Sequence, residues 1–212
     1  MWQALNTELA PLGLDVITVA FDKSADDARP WIELAEATHP SLIDTEHVVA
    51  DLYNMVNVPT VLWIDEEGVI VRPNDVHYVS SEYAHVTKMH PRKPLETLRA
   101  WVSGEAPALS GGTVAELQTL PTAADQEARA AFALAWWLSK QGKTEAAERW
   151  FVRAGDLAPH DFTIRRGSMP IRGIDAAGPQ FFDMVASWRA SGHEYYLPLA
   201  DTATTEEDFA TG

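Results

Sequence analysis

Cysteine is absent from the 212-residue sequence. Its absence excludes disulfides, thiolate metal ligands and cysteine nucleophiles within these residues. Long apolar runs are also missing, since none approaches the roughly 20 residues of a transmembrane helix. The first residues, MWQALNTELA, lack the basic segment followed by an apolar one that marks a signal peptide. The sequence as it stands therefore predicts a cytoplasmic protein without a membrane partner.

Basic residues are few: Lys and Arg number 16 against 31 Asp and Glu, which gives a net charge of −15. Binding to nucleic acid or to anionic lipid needs a positive surface, so we expect neither partner. Apolar residues make up 46% of the chain and charged residues 22%, the composition of a globular protein.

Strands and helices alternate in residues 1–103, which predicts an α/β domain. The stretch WQALNTELAPL has helical spacing, and Gly13 ends that helix. The run Leu14–Asp22 is apolar enough for a strand buried on both faces. A later helix is expected to begin at a cap provided by Asp44 or Thr45, and KPLETLRAWV closes the domain as a helix.

The stretch VNVPTVLWIDEEGVIVRP predicts a β-hairpin. Thr60–Asp65 and Val69–Arg72 have the pattern of strands, and Gly68 supplies the positive φ of the turn between them. Pro59 directly precedes the first strand, as expected of a residue that cannot donate to a β ladder. A turn that needs a fixed φ would account for this proline by itself.

A second region of purely helical pattern follows a linker at residues 103–113 (SGEAPALSGGT). Two helices joined by a turn at Gly142 are predicted, and Ala147, Phe151 and Pro159 fit the tetratricopeptide pattern. A single copy of this repeat cannot bury both of its faces, so we expect a structural appendage rather than a peptide groove.

The predicted domains are therefore an α/β domain at residues 1–103 and a helical, tetratricopeptide-like region at residues 114–200. Residues 201–212 are acidic and poor in apolar side chains, which predicts a flexible tail.

The order of the first elements resembles the thioredoxin-like fold, specifically the TlpA-like thiol-disulfide reductases of the redoxin group. The stretch PSLIDTEHVVADLYNMVNVPTVLWIDEEGVIVRP carries most of the likeness, and IRRGSMPIRGID and YYLPL are similar to segments of longer bacterial members. The resemblance implies a cis bond before Pro59. It also implies that Val58, Pro59 and Thr60 form the wall that contacts a peptide or protein partner.

The chain departs from this family at its beginning, because the family's first core strand and its Cys-x-x-Cys motif are not among these residues. The missing strand would lie between Val16–Phe21 and Thr60–Asp65, where its absence leaves backbone groups unpaired. We expect an upstream start in the natural protein, direct pairing of the two strands, or a strand lent by a partner chain. An upstream start would also permit an extracytoplasmic location.

Three histidines, His77, His85 and His90, lie close together in DVHYVSSEYAHVTKMHP. Imidazoles can bind zinc or another divalent metal. Their spacing matches no closed metal motif and does not place them on one face of a helix, so an exposed loop is the competing interpretation.

Three arginines, Arg165, Arg166 and Arg172, lie in the glycine-containing stretch TIRRGSMPIRGID of an otherwise acidic chain. They can clamp a carboxylate or phosphate through paired hydrogen bonds. The competing interpretation, which we favour from the sequence, is that they pair with acidic groups of the first domain.

The sequence thus predicts a thioredoxin-like protein whose resemblance implies thiol-disulfide oxidoreductase activity. Within these residues thiol chemistry is impossible, so the expected role is a redox-inactive binding or scaffold protein without a cofactor. Its expected partner is a protein or peptide, with self-association or strand donation through exposed strand edges as a further expectation. The alternative is a metal- or cofactor-dependent enzyme that uses the His77–His90 loop.

Overall fold

The computed structural model describes residues 1–76, 88–90 and 92–204. The strands are β1 (Thr18–Ala20), β2 (Ser41–Ile43), β3 (Thr60–Ile64) and β4 (Ile70–Val76). The helices are α1 (Trp2–Leu9), α2 (Ala25–Leu34), α3 (Val48–Leu52), α4 (Lys93–Val102), α5 (Gly111–Leu117), α6 (Ala123–Lys140), α7 (Thr144–Leu157), α8 (Phe162–Arg165), α9 (Ser168–Ile171) and α10 (Pro179–Ala190). This mixture of helices and short strands agrees with the α/β class. Among the described helices, none combines the length and the apolar character needed to cross a membrane.

The chain divides into two compact units, each built from separate segments. The hairpin unit comprises Met1–Val16, Pro59–Thr119 and Glu194–Gly212, and the helical unit comprises Ile17–Val58 and Leu120–His193. This division does not coincide with the predicted domains at 1–103 and 114–200. Residues 17–58 belong with the helical region because they hydrogen-bond to α6 and α8, which local sequence patterns do not reveal.

In the described residues the strands form two small sheets, whereas the resemblance implies a single thioredoxin-like sheet. In the helical unit, β1 and β2 are parallel, with Thr18 opposite Ser41. In the hairpin unit, β3 and β4 are antiparallel, with Thr60 opposite Val76. The predicted hairpin turn is confirmed, since Gly68 has a φ of 79°. The predicted strand Leu14–Asp22 has only three residues in ladder form.

Each unit has its own apolar core. In the hairpin unit, the rings of Trp63 and Trp101 stack with centroids 5.1 Å apart. The buried residues of its core cluster come from α1, the hairpin, α4 and Met89: Leu5, Leu9, Trp63, Val76, Met89 and Leu98. In the helical unit, alanines allow α6 and α7 to approach closely. The buried residues of its core cluster are Ala128, Ala131, Phe132, Ala135, Leu138, Ala147, Phe151, Ala154, Ala158 and Ile164. The predicted pair of helices with a turn at Gly142 is confirmed.

The start of the predicted tail is fixed in place. Ala203 forms an antiparallel bridge with Met89, and the N–H of His90 donates to the carbonyl of Thr202 at 2.8 Å. Thr202 is fully buried. Residues 201–204 therefore belong to the packed hairpin unit, contrary to the expectation of a flexible tail, while the rest of that tail lies outside the described residues.

Candidate functional site

Val58, Pro59 and Thr60 lie where the chain passes from the helical unit to the hairpin unit, with the boundary between Val58 and Pro59. All three are half-buried, and Pro59 directly precedes β3. A proline at this position removes no donor from the ladder. The N–H of Val58 donates to Oδ1 of Asn57 at 2.8 Å, and Thr60 lies opposite Val76. The candidate segment is thus bonded within each unit.

The residues that lead to Val58, from Asp44 onward, are called here the approach segment. The carboxylate of Asp44 accepts the N–H groups of Val48 at 3.1 Å and of Val49 at 2.7 Å. These N–H groups have no partner inside the first turn of α3, so a carboxylate is favourable there. Asp44 thus performs the capping role that the sequence predicts.

Helices α6 and α8 hold the approach segment along its length. The indole N–H of Trp136 donates to the carbonyl of Thr45 at 2.9 Å. Further along, the N–H of Phe162 donates to the carbonyl of Val56 at 2.6 Å. The bond to the carbonyl of Val56 lies only two residues before Val58. The helical region therefore fixes the backbone position from which the segment Val58, Pro59 and Thr60 begins.

Two acidic residues lie in or beside the same segment: Asp51, whose side chain is 47% exposed, and Asp161, which is buried. Partial burial raises the pKa of Asp51, and the nearby guanidinium of Arg129, 3.3 Å away, opposes this effect. Burial also raises the pKa of Asp161. The Asp161 carboxylate accepts the hydroxyl of Thr163 at 2.5 Å and the N–H of Ile164 at 3.1 Å. These bonds oppose the effect of burial on this pKa, and they fix the start of α8.

His47 is a buried titratable residue that sequence analysis missed. Its ring lies between those of Phe21 and Phe132, with centroid distances of 5.7 and 4.7 Å, and its backbone φ of 59° is left-handed. Burial lowers the pKa of its imidazole, and Asp44 acts in the opposite direction. The backbone at Gly167 comes so close that an added Cβ would lie 2.8 Å from Cε1 of His47.

Of the predicted metal ligands, His77 and His85 lie outside the described residues. His90 is described, and its Nδ1 accepts the N–H groups of Arg92 and Lys93, both at 3.1 Å. An accepting Nδ1 places the ring proton on Nε2, so His90 serves the start of α4 rather than presenting a free lone pair to a metal. Within residues 1–76, 88–90 and 92–204, no group of three or more metal-ligating side chains is assembled.

The three candidate anion-binding arginines separate into different environments. Arg172 forms a bidentate pair with Glu148 of α7, at 2.8 and 2.6 Å. The Nε of Arg166 donates to the carbonyl of Ala176, and Arg165 donates to the carbonyl of Pro159. Among the described residues, the one carboxylate in these bonds is that of Glu148, which lies on α7 of the helical region and not in the predicted first domain.

Arg72 is a second residue that sequence analysis missed. It is 1% exposed in β4, and its guanidinium donates to both oxygens of Asp201, at 2.9 and 2.7 Å. It also donates to Asp75 at 3.2 Å, and the hydroxyl of Thr202 donates to Asp75 at 2.8 Å. This network attaches the chain near Asp201 to the hairpin. The bonded residues are 129 positions apart in the sequence, so no local pattern could have indicated it.

Comparison with known proteins adds no family assignment: the chain matches no family model, no curated protein and no solved structure.

Proposed function

We propose that this chain is a binding module for a protein or peptide partner, with Val58, Pro59 and Thr60 as contact residues, and that it acts without thiol chemistry of its own. Its 212 residues contain no cysteine, so no thiolate within them can attack a disulfide. The redoxin resemblance supplies the expectation of a partner-contacting proline segment.

The observation that carries the proposal is the anchoring of this segment on both sides. The carbonyl of Val56 is bonded by Phe162, and Thr60 is paired with Val76. A backbone that is already ordered loses less conformational entropy when a partner binds it. Proline adds to this effect by fixing φ.

Peptide titration tests the proposal. Peptides selected from a random library on the immobilised protein would be titrated by fluorescence anisotropy. Pro59→Ala is expected to weaken binding about tenfold, equivalent to about 1.4 kcal/mol, because alanine samples more backbone conformations than proline. Pro40→Ala is the matched control, since Pro40 also directly precedes a strand but is exposed and lies elsewhere; it should leave affinity unchanged.

Three results would contradict the proposal. The first is the failure of any peptide to bind. The second is an equal loss of affinity in both proline variants, with circular dichroism that matches the parent. The third is a faster reduction of insulin disulfides by dithiothreitol when the 212-residue chain is added, because the proposal assigns no thiol chemistry to these residues.

The metal-dependent alternative receives no support from the described residues of the His77–His90 loop, because the Nδ1 of His90 already accepts two backbone N–H groups.

A further inference from the structure

The helical unit contains a cavity of about 420 Å³ that is open to solvent and lies among α7, α8, α9 and α10. This volume lies toward the small end of the range for ligand pockets. Its apolar wall includes Phe151, Met169 and Met184, of which the first two are buried and the third is half-buried. Its polar wall includes Arg165, Arg172 and Asp156. An apolar surface with a few charged groups is the usual composition of a small-molecule site.

Arg165 is the cation that this cavity leaves available for a ligand. Its Nη1 donates to the carbonyl of Pro159 at 2.7 Å, which is the one hydrogen bond of its guanidinium to the part of the chain that the structure describes. A guanidinium carries five N–H donors in a planar fork. Its side chain is held in place, because the guanidinium lies over the ring of Phe162, 5.4 Å from the centroid, and a Cβ on Gly155 would be 3.5 Å from its Cγ.

The positive charge of the Arg165 guanidinium is only partly offset by negative charge nearby. Burial lowers the pKa of its guanidinium, and Asp156 opposes that effect from a distance. Asp156 is exposed, and no ion pair within 4.0 Å joins it to Arg165 in the described residues. An anion in the cavity would therefore compensate a desolvated cation.

Arg172 differs from Arg165, because both of its bonded nitrogens are committed to the carboxylate of Glu148. Arg166, the sequence neighbour of Arg165, is not part of the cavity wall. Its Nε donates to the carbonyl of Ala176 at 2.9 Å, and its guanidinium lies 4.3 Å from the ring centroid of Phe181. It is therefore a matched control for Arg165.

We propose that this cavity binds a small aliphatic carboxylate, whose carboxylate accepts hydrogen bonds from Arg165 and whose hydrocarbon chain lies against Phe151, Met169 and Met184. A singly charged head group fits better than a phosphate dianion, because Asp156 disfavours further negative charge at the same wall. This site is separate from the proline segment, and neither proposal depends on the other.

Titration of the full chain with octanoate tests the proposal, followed by NMR of ¹³C-labelled methionine methyl groups at physiological ionic strength. Saturable shifts are expected at Met169 and Met184, and not at Met89, which lies in the core of the hairpin unit. Octan-1-ol has the same chain without the charge, and inorganic phosphate has charge without the chain. Both should bind at least about tenfold more weakly, since a hydrogen bond to a charged group and the burial of several methylenes each contribute that much or more.

Variants separate Arg165 from general effects of charge. Arg165→Gln should weaken octanoate binding about tenfold or more, while Arg166→Gln should leave it unchanged. Met184→Glu serves as a second variant at a half-buried helical position, in case the loss of the Pro159 bond unfolds Arg165→Gln. Its new carboxylate should repel the ligand and weaken binding by a similar factor.

Three results would overturn the proposal. Octanoate could fail to saturate the Met169 and Met184 signals. Octan-1-ol could bind as tightly as octanoate. Folded Arg165→Gln and Met184→Glu could both retain the affinity of the parent.

Discussion

Arg72, Asp75 and Asp201 attach the chain near Asp201 to the hairpin. We expect these three charged residues to contribute unequally to the free energy of unfolding. Arg72 and Asp75 are buried, with side chains that are 1% and 0% exposed, whereas the side chain of Asp201 is 50% exposed. Arg72 bonds both carboxylates, and the Asp75 carboxylate also accepts the N–H of Leu199 at 2.9 Å. The free energy of unfolding should therefore respond mainly to the buried pair.

Arg72→Met leaves the Asp75 carboxylate buried without its cation. Removing one member of a buried ion pair typically costs about 3–5 kcal/mol, and we expect a loss of that size. Asp201→Asn should cost only about 1–2 kcal/mol, because Arg72 keeps Asp75 as a partner and the lost carboxylate is half-exposed. The double variant Arg72→Met/Asp75→Asn should be less destabilised than the sum of its single variants, since no unpaired charge remains.

Urea unfolding followed by circular dichroism would give these free energies. Hydrogen exchange would report the local effect at the N–H of Thr204, which donates to the carbonyl of Lys88 at 2.8 Å. Asp201→Asn should speed exchange at Thr204 while leaving α7 of the helical unit unaffected. Equal losses for Arg72→Met and Asp201→Asn, or additive effects in the double variant, would refute the reasoning.

Low pH should weaken the ion pair between Arg72 and Asp201 and so release the chain near Asp201 from the hairpin. The hydrogen bond from Arg72 holds the pKa of Asp201 below its ordinary value. A folded pKa below the unfolded value of about 3.9 means that the pair contributes its full stability above that pH. The contribution is lost as the pH falls through the folded pKa. The protection factor of the Thr204 N–H, which is the exchange rate of an unfolded chain divided by that of this N–H at the same pH, should therefore fall only below about pH 4. A chain carrying Arg72→Met should have low protection at every pH and should lack this pH dependence, because it has no such pair to lose.

Two further predictions concern the helical unit. Because burial lowers the pKa of His47, the unfolded chain binds a proton first, and stability should fall by at most about 1.4 kcal/mol per pH unit as the pH drops below about 6.5. His47→Asn, a residue type that tolerates the left-handed φ, should flatten this slope in unfolding titrations; an unchanged slope would contradict the assignment. Gly167→Ala should destabilise the chain by about 1–3 kcal/mol, because its Cβ would lie 2.0 Å from the carbonyl oxygen of Thr163. Gly111→Ala meets nothing within 4 Å and is the control, so equal melting temperatures of the two variants would count against the steric argument.

Features determined by neighbouring residues were predictable from the sequence. The helix α1 ends at Leu9, and a short 3-10 turn at Ala10–Leu12 continues it as far as Gly13, which has a φ of 95°. The stop at Gly13 and the hairpin turn at Gly68 follow from the glycines themselves. The helix pair joined at Gly142 follows from the spacing of apolar residues. The capping role of the Asp44 carboxylate was also predictable, because the N–H groups that donate to it lie within five residues of Asp44.

Features determined by distant residues were not predictable. The bond from Trp136 to Thr45 joins residues 91 positions apart, and it assigns the approach segment to the helical unit rather than to a domain at residues 1–103. The predicted strand around Val19 was expected to be buried on both faces, but only Thr18–Ala20 pair with β2, and Ile17 beside them is 59% exposed. Glu148, the partner of Arg172, lies 24 residues away on α7. The sequence around the three arginines therefore could not predict this pair.

Pro59 directly follows the boundary between the two units along the chain. A partner bound at this residue should therefore change the hydrogen exchange of both units. The residue before it, Val58, ends a segment whose backbone is bonded by α8, and the residue after it, Thr60, begins a strand bonded by β4. A partner that orders this peptide backbone restricts the residues on either side through the covalent chain alone. Protection from hydrogen exchange on peptide binding should therefore extend to the N–H of Phe162 as well as to β3. Protection confined to one of them would indicate that the partner contacts a surface of a single unit and not the proline segment.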